Sequence, residues 1–176
     1  MSQVAISGNA SGTGTLTIAA PNTNSNYTLN LPAATGTVMV SGNMPAFSAY
    51  QSTLQSTTSG VASKIQFQTE EFDTASCFDS TTNYRFTPNV AGYYQISGAV
   101  VYAGSTAAIV PYVYKNGSSY KRGTNPPTSG GSAMSALVYL NGSTDYVEFY
   151  AVSFATQNTS VGIDNTYFQG ILVRAA

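Results

Sequence analysis

The chain is organised around V-A-G-Y-Y-Q-I-S-G-A-V-V-Y-A-G, residues 90–104, followed by I-V-P-Y-V-Y-K-N-G, residues 109–117. After Gly92, the residues Tyr94, Ile96, Gly98, Val100 and Tyr102 fall on one face, and Tyr93, Gln95, Ser97, Ala99 and Val101 on the other. That two-residue period is the mark of a strand. The second run is β-branched and aromatic and ends in Asn116-Gly117, a dipeptide that readily takes the positive φ angles of a tight hairpin turn. Strand, strand and hairpin turn form the centre, and the flanking sequence repeats them. Leu137–Val147 contains a second Asn-Gly at Asn141-Gly142, and Tyr167–Val173 alternates to the end.

Working outward, short strands are expected at Ile65–Phe67, Phe72–Phe78, Tyr84–Phe86, Tyr120–Gly123, Ala133–Leu140 and Tyr146–Phe154. Thr, Val and Tyr favour a pleated surface, and no helical period appears. About ten antiparallel strands with turn signals between them mean an all-β sandwich or barrel. Before them, residues 1–63 carry no charged side chain. Three short ribbons are expected there, at Thr15–Ile18, Tyr27–Leu31 and Gly36–Val40, each with one apolar face: Leu16 and Ile18; Tyr27, Leu29 and Leu31; Val38 and Val40. Ribbons so small cannot bury themselves, so this stretch is expected to act as a β-rich anchor, residues 1–44, for a head of residues 45–176.

Composition limits the chemistry. Of 176 residues, six are Lys or Arg and seven are Asp or Glu, for a net charge of -1. No basic cluster exists to bind phosphates, so no nucleic-acid partner is expected. No apolar run reaches the roughly 20 residues of a membrane span, and the start at Met1 lacks the basic and apolar regions of a secretory signal. Histidine is absent, which excludes His-based triads and the usual zinc sites. Cys77, the only cysteine, reads as a small buried residue. The seven carboxylates are scattered and nominate no acid pair. No enzyme, metal or cofactor is expected.

Two resemblances sharpen the reading. T-L-T-I-A-A-P at 15–21 and Y-T-L-N-L-P-A-A-T-G-T-V at 27–38 resemble a segment of tailed-bacteriophage virion proteins, especially tail fibres and related appendages. Further on come Ala46-Phe-Ser-Ala-Tyr50, Tyr84-Arg-Phe86, Val90-Ala-Gly92-x-Tyr94-x-Ile96, Tyr114-Lys-Asn-Gly117, Asp145-Tyr-Val147 and Phe168-Gln-Gly170-Ile-Leu172. In that order they resemble the globular head of complement component one, subunit q, among the tumour-necrosis-factor-like jelly rolls. Leu140–Asp145 departs from that pattern, which puts Gly and Asp side by side.

The second resemblance implies a trimer whose sheet holding these strands faces the three-fold axis, with Tyr93, Gln95, Leu137, Tyr139 and Tyr167 at the interface. The residues ask for one independently. Ala136, Val138 and Leu140 alternate with Leu137 and Tyr139, so both faces of that strand are apolar and a second buried surface is implied. The combined expectation is a non-enzymatic phage protein on the virion surface, assembled in the bacterial host cytoplasm. It would be a capsid decoration (cement or spike) protein or a short fibre, docked on other virion proteins through its N-terminal segment. The alternative is an adhesin that binds host surface polysaccharide through loop residues such as Tyr120, Arg122 and Asn125.

Overall fold

A computed structural model describes residues 8, 10–19, 21–30, 33, 36, 38–40, 42, 44–104, 107–124 and 130–176. The chain divides into two compact units, Met1–Gly36 and Thr37–Ala176.

Among the described residues, the second unit holds thirteen strands and no α-helix. In chain order they are β1 (Ala46–Tyr50), β2 (Ser56–Thr57), β3 (Ala62–Lys64), β4 (Thr69–Asp73), β5 (Phe78–Asp79), β6 (Arg85–Phe86) and β7 (Ala91–Val101). Then follow β8 (Ile109–Lys115), β9 (Ser118–Arg122), β10 (Gly131–Asn141), β11 (Val147–Ser153), β12 (Gln157–Asn158) and β13 (Tyr167–Ala175). One sheet runs β10-β7-β13-β1-β4; the other runs β5-β6-β11-β8-β9 with β3 also paired to β11. All the pairings are antiparallel. The architecture is a jelly-roll sandwich.

The two sheets meet over rings. Phe47 of β1 stacks on Phe86 at 4.4 Å and Phe78 at 4.9 Å between centroids, and meets Phe168 edge-on at 5.1 Å. Tyr94, Ile96, Val113, Val138, Val147 and Phe149 complete a core without exposed atoms. At Gly98 a Cβ would lie 2.7 Å from the Phe149 ring, so only glycine lets that ring rest against β7. The hairpin expected at Asn116-Gly117 is present, with φ of 51° and 76° and Lys115 paired to Ser118.

Several expectations are corrected. Phe72–Phe78 is not one strand. The Asp73 carboxylate accepts the Ala75 and Phe78 amides at 3.2 and 2.6 Å, and Ser76 turns at a φ of 52°, which separates β4 from β5. Ile65 and Phe67 are buried but Ile65–Phe67 belongs to no strand; the Ile65 amide donates to the Phe149 carbonyl at 2.9 Å. Asn141-Gly142 makes the expected turn, with Gly142 at a φ of 70°, but it joins strands of different sheets, β10 and β11, rather than neighbours in one ladder. Its loop is shaped by Asn141 Oδ1, which accepts the amides of Ser143, Thr144 and Asp145 at 2.9–3.0 Å.

The N-terminal ribbons are corrected too. Among the described residues of 15–18, 27–31 and 36–40 no strand ladder forms. A ribbon of a few residues has nothing to hydrogen-bond with and no core to cover unless a second surface supplies both. Leu16, Ile18, Tyr27, Leu29, Val38 and Val40 are all exposed; Leu31 lies outside the described residues. Met39, between the two valines, is partly buried against the head core.

Candidate functional site

Strand register gathers the five assembly residues expected from the sequence onto one surface. Tyr139 of β10 lies opposite Tyr93 of β7, and Leu137 opposite Gln95. On the other side of β7, Ile171 lies opposite Gln95, Gln169 opposite Ser97, and Tyr167 opposite Ala99. Alternate residues share a face. Tyr93, Gln95, Leu137, Tyr139 and Tyr167 therefore stand together on the outside of the five-stranded sheet, while Tyr94, Ile96, Val138, Leu140 and Phe168 fill its inside.

The outer surface is apolar and open. Leu137 is 53% exposed, Ile171 50%, Tyr93 42% and Tyr139 40%, although each belongs to a long, regular strand. The Tyr93 and Tyr139 rings lie 5.4 Å apart. Gln95 Nε2 donates to Ser135 Oγ, and Gln169 Nε2 to Ser97 Oγ at 3.1 Å, so the amides are held flat along the sheet. A shallow depression of about 290 Å³ lies among Ala46, Phe72, Gln95, Ser97, Gln169 and Ile171. Outward positions of β10, β7 and β13 carry no charge before Arg174. Sequence reading missed Ile171, Gln169 and Phe72. The run Ile171-Leu-Val173 is apolar on both faces, the same signal that marked Leu137 and Tyr139.

Solved structures share this architecture. Murine APRIL superposes with a TM-score of 0.59 at 10% identity, covering 74% of this chain and 99% of its own. The vertex protein P5 of PRD1 gives 0.58 at 16%, covering 74% and 97%, and an Eiger TNF from S. frugiperda gives 0.54 at 10%, covering 76% and 93%. The fold is a tumour-necrosis-factor-like jelly roll. No family profile and no curated protein matches the sequence.

Elsewhere on the jelly roll, Tyr120 and Arg122, expected from the sequence as glycan contacts of an adhesin, are exposed on β9 at the edge of its sheet. Asn125 lies outside the described residues. No group of three metal-ligating side chains clusters among the described residues. Burial raises the pKa of the Cys77 thiol, whose Sγ donates to the Ala75 carbonyl at 3.3 Å, so it stays protonated and inert.

Two carboxylates hold loops in place. Asp79 accepts the amides of Thr82, Thr81 and Asn83 at 2.9–3.1 Å, and these bonds, Thr82 foremost, hold its pKa well below the usual carboxylate range. Asp145 accepts Asn116 Nδ2 at 2.7 Å and pairs with Lys115 at 2.9 Å, which also lowers its pKa. A depressed folded-state pKa means the unfolded chain takes up protons first as pH falls below the ordinary value of 3.8. Their stabilisation is complete above that value and drains away beneath it. Melting temperature is expected to hold level down to about pH 5 and to drop below about pH 4, with Asp79→Asn blunting the drop. A level profile through the acid range would remove both carboxylates from the account.

Proposed function

We propose that the protein is a non-enzymatic structural component of a bacteriophage virion surface. Three heads associate through the outer face of the β10-β7-β13 sheet, and the N-terminal segment docks on another virion protein. The observation that carries this reading is that apolar face: large apolar side chains stand exposed on long strands, in a fold shared with the PRD1 vertex protein P5. A contiguous exposed apolar patch marks an interaction surface. Closed three-fold packing would cover it on every copy.

The N-terminal ribbons support the docking half. Leu16, Ile18, Tyr27 and Leu29 are exposed on the chain's own account, and a partner strand or groove would give each ribbon the ladder and the cover it lacks. Among such proteins, a capsid decoration protein (cement or spike) or a short fibre fits best, assembled in the bacterial cytoplasm. The domain division used for this reading is a docking segment through residue 44 and a head from residue 45.

Copy number per particle tests the proposal. Quantitative mass spectrometry of purified virions, referenced to the major capsid protein, is expected to return hundreds of copies, as for a protein spread over the capsid lattice. A handful in multiples of three would move it to the tail and favour the adhesin reading, for which exposed Tyr120 and Arg122 speak. Absence from particles would overturn the virion assignment.

A further inference from the structure

The second sheet presents a different surface. Facing outward on β8 and β11 are Tyr112, Tyr114 and Tyr150, joined by Tyr146 just before β11. Tyr114 and Tyr150 stack at 3.9 Å and 14°, and Tyr112 meets Tyr114 edge-on at 6.2 Å. All four are half-buried, and none of their hydroxyls has a hydrogen-bond partner among the described residues. By contrast, the interior tyrosines use theirs: Tyr94 donates to the Val90 carbonyl at 2.6 Å, and Tyr102 bonds Thr57 at 3.2 Å. Burial, with Glu148 and the neighbouring tyrosines, pushes Tyr150 up to about 12, so it stays a neutral donor.

Charge around this strip is arranged by pairing. Glu148, 4% exposed, is bound by Lys64 at 2.5 Å, and the two cancel. Asp79 lies opposite Arg85 in the register, but its oxygens are taken by its own loop amides. On this sheet, that leaves the guanidinium groups of Arg85 and Arg122 without a carboxylate partner among the described residues. Arg85, on the β6 side, rests over the Tyr146 ring at 4.3 Å, and Arg122, on β9, lies opposite Tyr112. With β11 and β8 between them, they stand three strand spacings apart, roughly 14 Å.

From this geometry we infer that the outer face of the second sheet is a binding strip for an acidic saccharide chain. Sugar rings lay polarised C–H faces on the ring faces that the Tyr114–Tyr150 stack and the Arg85 guanidinium leave open, and the free phenol hydroxyls take ring hydroxyls. Arg85 and Arg122 grip carboxylates at either end, the pairing for which a planar guanidinium is suited. Single-stranded nucleic acid also stacks on aromatic rings, but the few scattered cations of a chain of net charge -1 give it no track for its phosphates. The inference stands apart from the trimer and virion reading, because it uses the opposite sheet and can be measured on the purified protein.

The experiment is a glycan array carrying uronate- and sialate-bearing oligosaccharides beside neutral ones, probed with the full chain, followed by calorimetry on the strongest acidic hit. Capture is expected to be confined to acidic glycans, to weaken as salt rises, and to fall at least about tenfold, or about 1.4 kcal/mol, in R85Q/R122Q with the melting temperature unchanged. If that double variant loosens Tyr146 and lowers the melting temperature, R122Q alone carries the comparison, since Arg122 is exposed on an edge strand. No acidic glycan captured, equal capture of neutral sugars, binding untouched by the arginine variants, or preferential binding of a dT12 oligonucleotide would each overturn the inference.

Discussion

The double variant L137D/Y139D is expected to scatter light as a monomer at micromolar concentration, and the parent chain as a trimer. Both side chains point away from the core of their own protomer, so aspartates there are solvated in a single copy and leave its fold intact. Their neighbours across β7, Gln95 and Tyr93, offer no cation to pair with. Of the bases nearby, Lys115 already holds Asp145 at 2.9 Å and the Tyr139 carbonyl at 2.8 Å, and Arg174, opposite Tyr93 on β13, is two strand spacings, roughly 10 Å, from position 139. In a trimer closed over this face, each aspartate would be buried unpaired, at a cost of about 3 kcal/mol or more. Each ~1.4 kcal/mol is a factor of ten in association, so two such charges per protomer exceed what a three-fold contact tolerates. A companion variant, K121E on the exposed outer strand β9, is expected to leave the mass alone. A monomeric parent, or a trimer that survives L137D/Y139D, would assign the apolar face another role.

What the sequence made legible follows from how local each signal is. The alternation of residues 93–101 and the Asn116-Gly117 turn depend on neighbours in the chain, and both appear as read. Exposed Leu137 and Tyr139 were also legible, because a strand apolar on both sides needs two covers. Non-local facts were hidden. Nothing in F-D-T-A-S-C-F announces that the Asp73 carboxylate will fold back on the Phe78 amide and end a strand. Ile65 and Phe67 show that burial alone does not make a ladder. The tyrosine strip is the clearest case: Tyr112 and Tyr150 are far apart in sequence, and only the β8–β11 register makes them neighbours. Arg85 sits on a short strand that was legible, but its place beside β11 rests on the pairing with Glu148, which nothing local shows.

Phe47→Ala is expected to cost the head about 3–5 kcal/mol, the range for emptying an aromatic site in a rigid core. Phe47 is 1% exposed and lies against three other rings, Phe78, Phe86 and Phe168, drawn from both sheets. Its ring also passes the Cα of Gly170, where a Cβ would come within 2.8 Å, so the backbone has closed around it. Alanine would leave a void that those three rings cannot fill without breaking their own contacts, and β1 is central enough in its sheet to resist shifting inward. Against the 5–15 kcal/mol that a typical domain possesses, that loss is large. Because association would add stability by mass action, the comparison belongs on the L137D/Y139D background, with the urea midpoint as readout. A loss under about 1 kcal/mol, below the range for such truncations, would mean that the Phe47 cluster is not what joins the two sheets. The same background decides between the two surfaces: if its fold survives while its association does not, the buried core of one protomer holds the jelly roll, and the apolar outer face serves assembly.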